Sequence, residues 1–265
     1  LTYQYDKTRK ALDNVSMDFN KGNIIGIIGS NGSGKSTLFN NLMGILKSTE
    51  GEILYNGEQI KYDKKSLYNL RKEVGIVFQD PEKQIFYSMV YDDIAFALRN
   101  IGIDEKTIKE RIHTALEAVN GLQFIDRPVH NLSFGQKKRV AIASVVAMEN
   151  KLVLLDEPTA GLDPISTRAI VDIIKGLNKR GVKIVISSHD MNLIYEICDY
   201  VYVLNQGVLI NEGTREEVFI NEEKIDEAGL ELPWLVKLHK NMGLPLFTRE
   251  EDLYSYWNHR EQKTV

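Results

Sequence analysis

The sequence predicts an α/β protein with a mostly parallel sheet, an antiparallel lobe and a helical insert. Four short runs are continuously apolar: "IIGIIG" at 24–29, "VGIVFQ" at 74–79, "LVLLDE" at 152–157 and "KIVISSH" at 183–189. A strand covered on both faces reads this way, whereas a half-exposed strand alternates. Stretches of helical period lie between or after these runs. Finally, Asn56-Gly57 separates two short apolar runs in "EGEILYNGEQI" (50–60), the mark of a two-residue hairpin with a type I′ turn.

Taken in chain order, "ALDNVSMDF" (11–19) is expected to be a strand of the antiparallel lobe. A helix over "KSTLFNNLMGIL" follows the first buried strand. In "IDEKTIKERIHTALEAV", Ile108, Ile112, Ala115, Leu116 and Val119 fall on one helical face, with Asp104 as N-cap and Gly121 at the stop. Residues 136–149 read as a mostly apolar helix (Val140, Ile142, Val145, Val146, Met148) and so as a buried one. The helix of "STRAIVDIIKGLNKRG" ends at Gly181. The helical insert is placed at about 81–150. After Thr214 the chain turns charged and helix-like, broken by Pro233, and 215–265 reads as a C-terminal extension.

The 265 residues suffice for one large domain, or for one domain and a small appendage. Apolar residues at 43% and charged residues at 26% are ordinary for a globular chain. A net charge of −4 gives no basic footprint for nucleic acid. Cys198 stands alone, which fits a reducing compartment and a small core residue. No apolar run approaches the roughly 18 residues of a membrane span, and no signal segment opens the chain. The expectation is a soluble protein that borrows any membrane part from a partner. Because the chain opens at Leu1 rather than Met, a short preceding segment is also expected.

The chemistry concentrates in a few motifs. Gly29-Ser30-Asn31-Gly32-Ser33-Gly34-Lys35-Ser36-Thr37 is a Walker A loop set between a buried strand and a helix. Gly32 and Gly34 let backbone N–H groups turn inward onto phosphate, and the helix N-terminus adds positive potential. Lys35 supplies a cation for the β and γ oxygens, and the Ser36 hydroxyl a Mg²⁺ ligand. "LVLLDEP" places two carboxylates at the C-terminal end of a strand, where α/β sites open. Asp156 is expected to hold Mg²⁺ through water, and Glu157 to act on a water beside it. His189 and Gln79 end two more apolar runs, but each alone is uninformative. Ser133-Phe134-Gly135-Gln136 fits a capping box ahead of an apolar helix. Its first turn offers N–H groups to a second anion, although an ordinary capped helix would look the same.

Walker A, then Gln79, then "LSFGQ", then "LVLLDEP", then "AGLD" (160–163), then His189 resembles the motif order of ATP-binding cassette (ABC) ATPases over residues 1 to about 215. The resemblance implies a P-loop NTPase fold with an antiparallel β lobe, a RecA-like core and a helical subdomain, within a nucleotide-binding domain at 1–214. It implies ATP and Mg²⁺ as cofactors, with Ser36, Gln79 and Asp156 at the metal. Glu157 is implied as general base, His189 as a γ-phosphate contact, and Gln79 as the link from Mg²⁺ and water to a transport partner. Tyr5 matches the aromatic that stacks on adenine, with Tyr3 near enough to compete. Two cassettes are implied to pair head to tail, so that Ser133, Gly135 and Gln136 of one face the nucleotide of the other and Asp163 lies in the loop crossing between them. Phe134 departs from the family's usual Gly, and its ring is expected to point away from phosphate.

"VFQDPEKQIFYSMVYDDIAFALRNIGI", with its second glutamine Gln84, is similar to the ATPases of energy-coupling factor (ECF) importers, including the cobalt-transport type. The exposed aromatics Phe86, Tyr87, Tyr91 and Phe96, mixed with Asp92 and Asp93, form an expected docking surface for a membrane subunit. The implied function is ATP hydrolysis that drives import of cobalt, nickel or a vitamin from the cytoplasmic membrane face. The implied partners are a second cassette, identical or related, a transmembrane coupling subunit and a substrate-binding membrane subunit. Residues 215–265 are expected to contribute dimer contacts. A conventional ABC importer or exporter is the alternative. A non-transport ABC ATPase acting on nucleic acid or the ribosome fits less well, since the chain has one Walker A loop, no heptad run and no basic stripe.

Overall fold

A computed structural model describes residues 1–6 and 9–261. Its centre is a six-stranded sheet in the order Val208–Thr214, Tyr200–Asn205, Ile24–Ile28, Lys183–Ser188, Leu152–Asp156, Val74–Val77. Neighbours run parallel except at one edge, where Val208–Thr214 pairs antiparallel with Tyr200–Asn205. All four expected buried strands are present. Each ends slightly before its apolar run does, so that Gly29, Glu157 and His189 stand immediately past their strands and Gln79 stands just beyond Val77.

The strands are apolar on both sides because both sides are covered. Ile24 and Ile28 face the larger core, with the helices of the insert and the Pro164–Lys179 helix, while Ile25 and Ile27 face a smaller core with Leu38 and Phe39. From Ile24–Ile28 the chain leaves towards the Val74–Val77 edge, whereas from Lys183–Ser188 it crosses to Tyr200–Asn205. A crevice at the carboxyl ends of strands opens where connections diverge in this way.

The antiparallel lobe is smaller than the sequence suggests. The Leu54–Tyr55 and Glu58–Gln59 hairpin forms, with φ of 51° at Asn56 and 79° at Gly57, as a type I′ turn requires. The expected strand over 11–19 is a correction: only Lys10–Leu12 is a strand, paired with Tyr3–Gln4. Asn14 takes a φ of 49°, a left-handed conformation that Asn tolerates, and the chain turns there. Beyond it, Asp18 caps a 3₁₀ turn at Phe19–Lys21.

In the insert, Val90–Asn100, Glu105–Ala118 and Phe134–Ala147 pack on one another. Asp104 caps the second helix, all five apolar residues assigned to its face are buried, and the Gly121 N–H closes it on the Leu116 carbonyl at 2.7 Å. The third helix begins at Phe134 rather than 136, because its capping box opens it at Ser133. Val140, Ile142 and Val145 are buried as expected, whereas Val146 and Met148 are half-buried. Asp93 is a second correction. It is not a surface acid, since its carboxylate is buried and accepts the N–H groups of Phe86 and Tyr87 at 2.8 and 3.1 Å. Tyr91 is half-buried against the core, whereas Phe86, Tyr87 and Phe96 are exposed.

Thr214 opens the C-terminal segment with a second capping box. The helices Arg215–Ile220, Glu222–Glu227, Trp234–Met242 and Glu250–Glu261 follow, the third starting directly after Pro233. The charged surface of this segment hides an apolar inner face. Val218, Phe219, Ile225, Leu235 and Val236 are buried in the larger core, and Trp234 N–H donates to Asn192 Oδ1 at 2.9 Å. Phe219 meets Tyr195 edge to face, with ring centroids 5.6 Å apart. Phe219→Ala is therefore expected to destabilise the whole chain by about 3–5 kcal/mol, as for other buried Phe truncations. Denaturant titration checks this through a lower midpoint for the global transition.

Candidate active site

The Gly29–Ser36 loop joins a buried strand to the Lys35–Leu42 helix. Two glycines are sterically required. A Cβ on Gly29 would lie 2.3 Å from the Leu204 carbonyl oxygen. Gly34 has φ +108°, and a Cβ there would lie 2.7 Å from the Ala11 carbonyl oxygen. The loop is thus wrapped tightly against its neighbours while its interior is lined by backbone.

Lys35 fills that interior. Its ammonium donates to the Gly29 carbonyl at 2.6 Å and the Ser30 carbonyl at 3.1 Å. It lies 3.9 Å from Glu157 Oε1. Burial pulls its pKa below the ordinary lysine value, and the Glu157 and Asp156 carboxylates oppose that pull. A bound phosphate would add to the negative charge that Glu157 already sets beside the buried cation. Among the described residues Ser33 Oγ, packed against Gly29, has no hydrogen-bond partner. The buried, partly compensated ammonium of Lys35 fits a polyphosphate guest.

The carboxylates stand beside the loop because the Leu152–Asp156 and Lys183–Ser188 strands pair in register, with Asp156 opposite Ser187. Ser187 Oγ donates to Asp156 Oδ1 at 2.5 Å and accepts the Glu157 N–H at 3.1 Å. Glu157 Oε2 meets His189 Nδ1 at 2.8 Å. Tyr5, Lys35, Ser36, Gln79, Glu157 and His189 line one cleft of about 550 Å³. Tyr5 lines it and Tyr3 does not; the Tyr5 hydroxyl bonds Thr37 Oγ1 at 3.1 Å.

Other expected site residues lie elsewhere. Ser133, Gly135 and Gln136 do not line the cleft. Ser133 and Gln136 spend their side chains on the capping box, each accepting the other's backbone N–H. Asp163 caps the Pro164–Lys179 helix, accepting from the Ile165 and Ser166 N–H groups. Gln84 is a clamp: its Oε1 accepts the Phe78 N–H and its Nε2 donates to the Ala141 carbonyl, tying the Gln79 loop to the Phe134–Ala147 helix.

Three contributors escaped the sequence reading. Arg9 and Lys10 reach the cleft from the small antiparallel pair, with nothing in their spacing to announce it. Lys138 is fully buried, and its ammonium donates to the Glu157 carbonyl at 2.7 Å. A signal for it existed, because helical period puts Lys138 on the buried stripe of Ala141, Ile142 and Val145. Burial lowers its pKa to about 8, against the opposing pull of Glu157, Asp156 and Asp80.

Among the described residues no group of three or more His, Cys, Asp or Glu could hold a metal ion. Ser36, Gln79 and Asp156 offer instead the hydroxyl, amide and carboxylate oxygens that suit Mg²⁺ together with substrate phosphates. Ser36 and Gln79 line the cleft, and Asp156 lies buried behind it.

The ABC transporter family model matches residues 12–160, more than half of the chain. The chain belongs to the ABC transporter family. Within that family it is 46% identical to the cobalt import ATP-binding protein CbiO of Salmonella typhimurium, over 99% of this chain and 95% of that protein. It is 45% identical to the energy-coupling factor transporter ATP-binding protein EcfA of Methanocaldococcus jannaschii, over 90% of this chain and 85% of that one. The structure of CbiO1 from Clostridium perfringens, part of the ABC transporter complex CbiONQ, superposes with a TM-score of 0.78 at 42% identity, covering 91% of this chain and 96% of the other.

Lys35→Met removes a charge-assisted donor of about 1.5–3 kcal/mol, so ATP binding is expected to weaken roughly 10- to 150-fold. Titration with a fluorescent ATP analogue measures this directly.

Proposed function

We propose that this ABC transporter chain is the ATP-hydrolysing subunit of an energy-coupling factor importer for a micronutrient, either cobalt or nickel ion or a vitamin. One observation carries the reading: a buried cation, a buried carboxylate and an accessible imidazole, Lys35, Glu157 and His189, meet in one cleft at the end of a phosphate-binding loop. The likeness to CbiO and EcfA supports the importer class.

In this reading ATP lies with its phosphates in the Gly29–Thr37 loop and its base against Tyr5. Backbone N–H groups of Ser30, Asn31, Gly32, Gly34 and Thr37 orient the chain of phosphates, the Ser33 N–H being held by the Ser30 carbonyl, with Lys35 holding the β and γ oxygens. Ser36, Gln79 and Asp156 would hold Mg²⁺, Ser36 and Gln79 from the cleft lining and the buried Asp156 through a water. When bound, that ion would neutralise the negative charge of the phosphates. Glu157 orients a water in line with the γ-phosphorus and takes its proton as the new P–O bond forms and the bond from the γ-phosphorus to the β–γ bridging oxygen breaks, with ADP as the leaving group. His189 steadies Glu157 through Nδ1, and its ring would donate from Nε2 to the γ-phosphate when both nitrogens carry protons.

The site is completed in trans. Ser133, Gly135 and Gln136 lie outside the cleft of their own chain, and the capping box uses the Ser133 and Gln136 N–H groups, so the Phe134 and Gly135 N–H groups of that helix start face the nucleotide of a second cassette. Asp163, capping the neighbouring helix, stiffens the loop between the two. Closure around ATP stores the work of transport, because ATP binds the closed pair better than the open one. The exposed Phe86 (78% exposed), with Tyr87 and Phe96 paired at 5.3 Å, forms the face for a transmembrane coupling subunit. Asp93 beneath it fixes the loop so that movement at Gln79 is transmitted rather than absorbed. A further membrane subunit selects the cargo, and this chain sits peripherally on the cytoplasmic side. The nucleotide-binding domain is assigned to 1–214 and the dimer-supporting extension to 215–265.

Glu157→Gln is expected to lower ATP turnover at least about 100-fold, in the range of a lost general base, with ATP affinity retained. Unchanged turnover in that variant removes Glu157 from the base role. Affinity capture of the tagged chain from detergent-solubilised membranes tests the importer class. Recovery of a coupling subunit with a small substrate-binding membrane protein supports it, and recovery of a conventional permease contradicts it.

A further inference from the structure

Lys138 is an unusual residue for its position. A fully buried ammonium is costly unless its surroundings compensate, and an apolar residue on that helix stripe would avoid the cost. Its one hydrogen bond to protein goes to the carbonyl of Glu157, 19 positions further along the chain. Glu157 itself is conformationally unusual. It has φ +46°, a region that non-glycine residues rarely occupy. It also precedes Pro158, which biases a residue towards extended backbone. Such a conformation persists only where the surroundings over-determine it.

The surroundings here can be named. The Glu157 N–H is held by the Ser187 carbonyl and hydroxyl, each at 3.1 Å. The Glu157 carbonyl is held by Lys138. The backbone pose in turn sets the carboxylate between His189 Nδ1 and Lys35. Lys138 also sits one turn after the Ser133 cap, with its ammonium 5.8 Å from the Phe134 ring centroid.

We propose that Lys138 is a positioning residue for hydrolysis, holding Glu157 in its left-handed pose and tying it to the start of the Phe134–Ala147 helix of the same chain. That helix start is the part of the molecule that faces the nucleotide of the second cassette. The link therefore runs from the anion contact a chain makes across the dimer to the base in its own cleft. This inference rests on the reading of Glu157 as general base.

The test is steady-state ATPase kinetics on the purified full chain, with ATP affinity and thermal unfolding measured alongside. Lys138→Met fills the space without a donor. It is expected to keep KM and Kd for ATP within about threefold while kcat falls at least about tenfold, since a misplaced base weakens transition-state stabilisation and leaves ATP binding in the ground state unchanged. Lys138→Gln keeps an N–H donor on a shorter stem and is expected to lose about three- to tenfold in kcat, with KM unchanged. A wild-type kcat in Lys138→Met, a KM that rises as kcat falls, or a Gln variant no better than Met overturns the proposal. Should Lys138→Met fail to fold, Lys138→Gln decides: loss confined to kcat supports the proposal, and an unchanged kcat or a raised KM contradicts it. Glu157→Gln in the same assay separates the two readings. If it retains turnover, the base assignment has failed whatever Lys138 does. If it loses turnover and the Lys138 variants do not, only the positioning role has failed.

Discussion

The parallel pairing of three strands, Ile24–Ile28, Lys183–Ser188 and Leu152–Asp156, is the constraint on which the site depends. Ile28 pairs with Ser188, and Asp156 with Ser187, so the three strands end at one level. The residues that follow, Gly29, His189 and Glu157, consequently emerge side by side despite being far apart in sequence. Ser187 fixes the alignment further, because its hydroxyl binds Asp156 and accepts the Glu157 N–H. A one-residue slip would exchange side chains between the two cores, with Ile25 and Ile27 changing places with Ile24 and Ile28, and would break the Ser187 contacts to Asp156 and Glu157.

Around this level the charges form a compact set. Lys35 approaches the carboxylate of Glu157 and Lys138 its carbonyl, from opposite ends of the residue. Both lysines are buried, and in both burial lowers the pKa against the pull of Asp156 and Glu157. A polyphosphate entering the cleft changes this balance in favour of the charged ammonium of Lys35, which couples nucleotide binding to the electrostatics of the proposed base. The Phe134–Ala147 helix joins the set twice, through Lys138 and through the Gln84 clamp on the loop that carries Gln79.

Much of this was legible in the sequence. The parallel strands showed because full burial leaves an unbroken apolar run. The phosphate loop, the capping box at Ser133 and the hairpin at Asn56-Gly57 showed because each needs particular residues at fixed local spacing. What was not legible depended on tertiary placement. The run at 11–19 looked like a strand, yet Asn14 turns the chain after Leu12. Asp93 looked like a surface acid, yet its carboxylate closes the loop at Phe86 and Tyr87. The charged text after Thr214 concealed an apolar face, visible only as Val218, Phe219, Ile225 and Val236 reach the core. Lys138 was not legible because a lysine's charge gives no sign of burial, and only its place on the apolar stripe with Ala141, Ile142 and Val145 does.

On this account a single chain holds an incomplete site, and a second cassette supplies the missing contacts through the helix that begins at Ser133. Sedimentation velocity on Glu157→Gln, with and without ATP and Mg²⁺, tests that claim most directly. The account predicts a monomer without nucleotide and a dimer with it, and weaker ATP-induced dimerisation when Ser133→Arg is added to block the helix start. A species that stays monomeric at saturating ATP, or a dimer indifferent both to ATP and to Ser133→Arg, would contradict it.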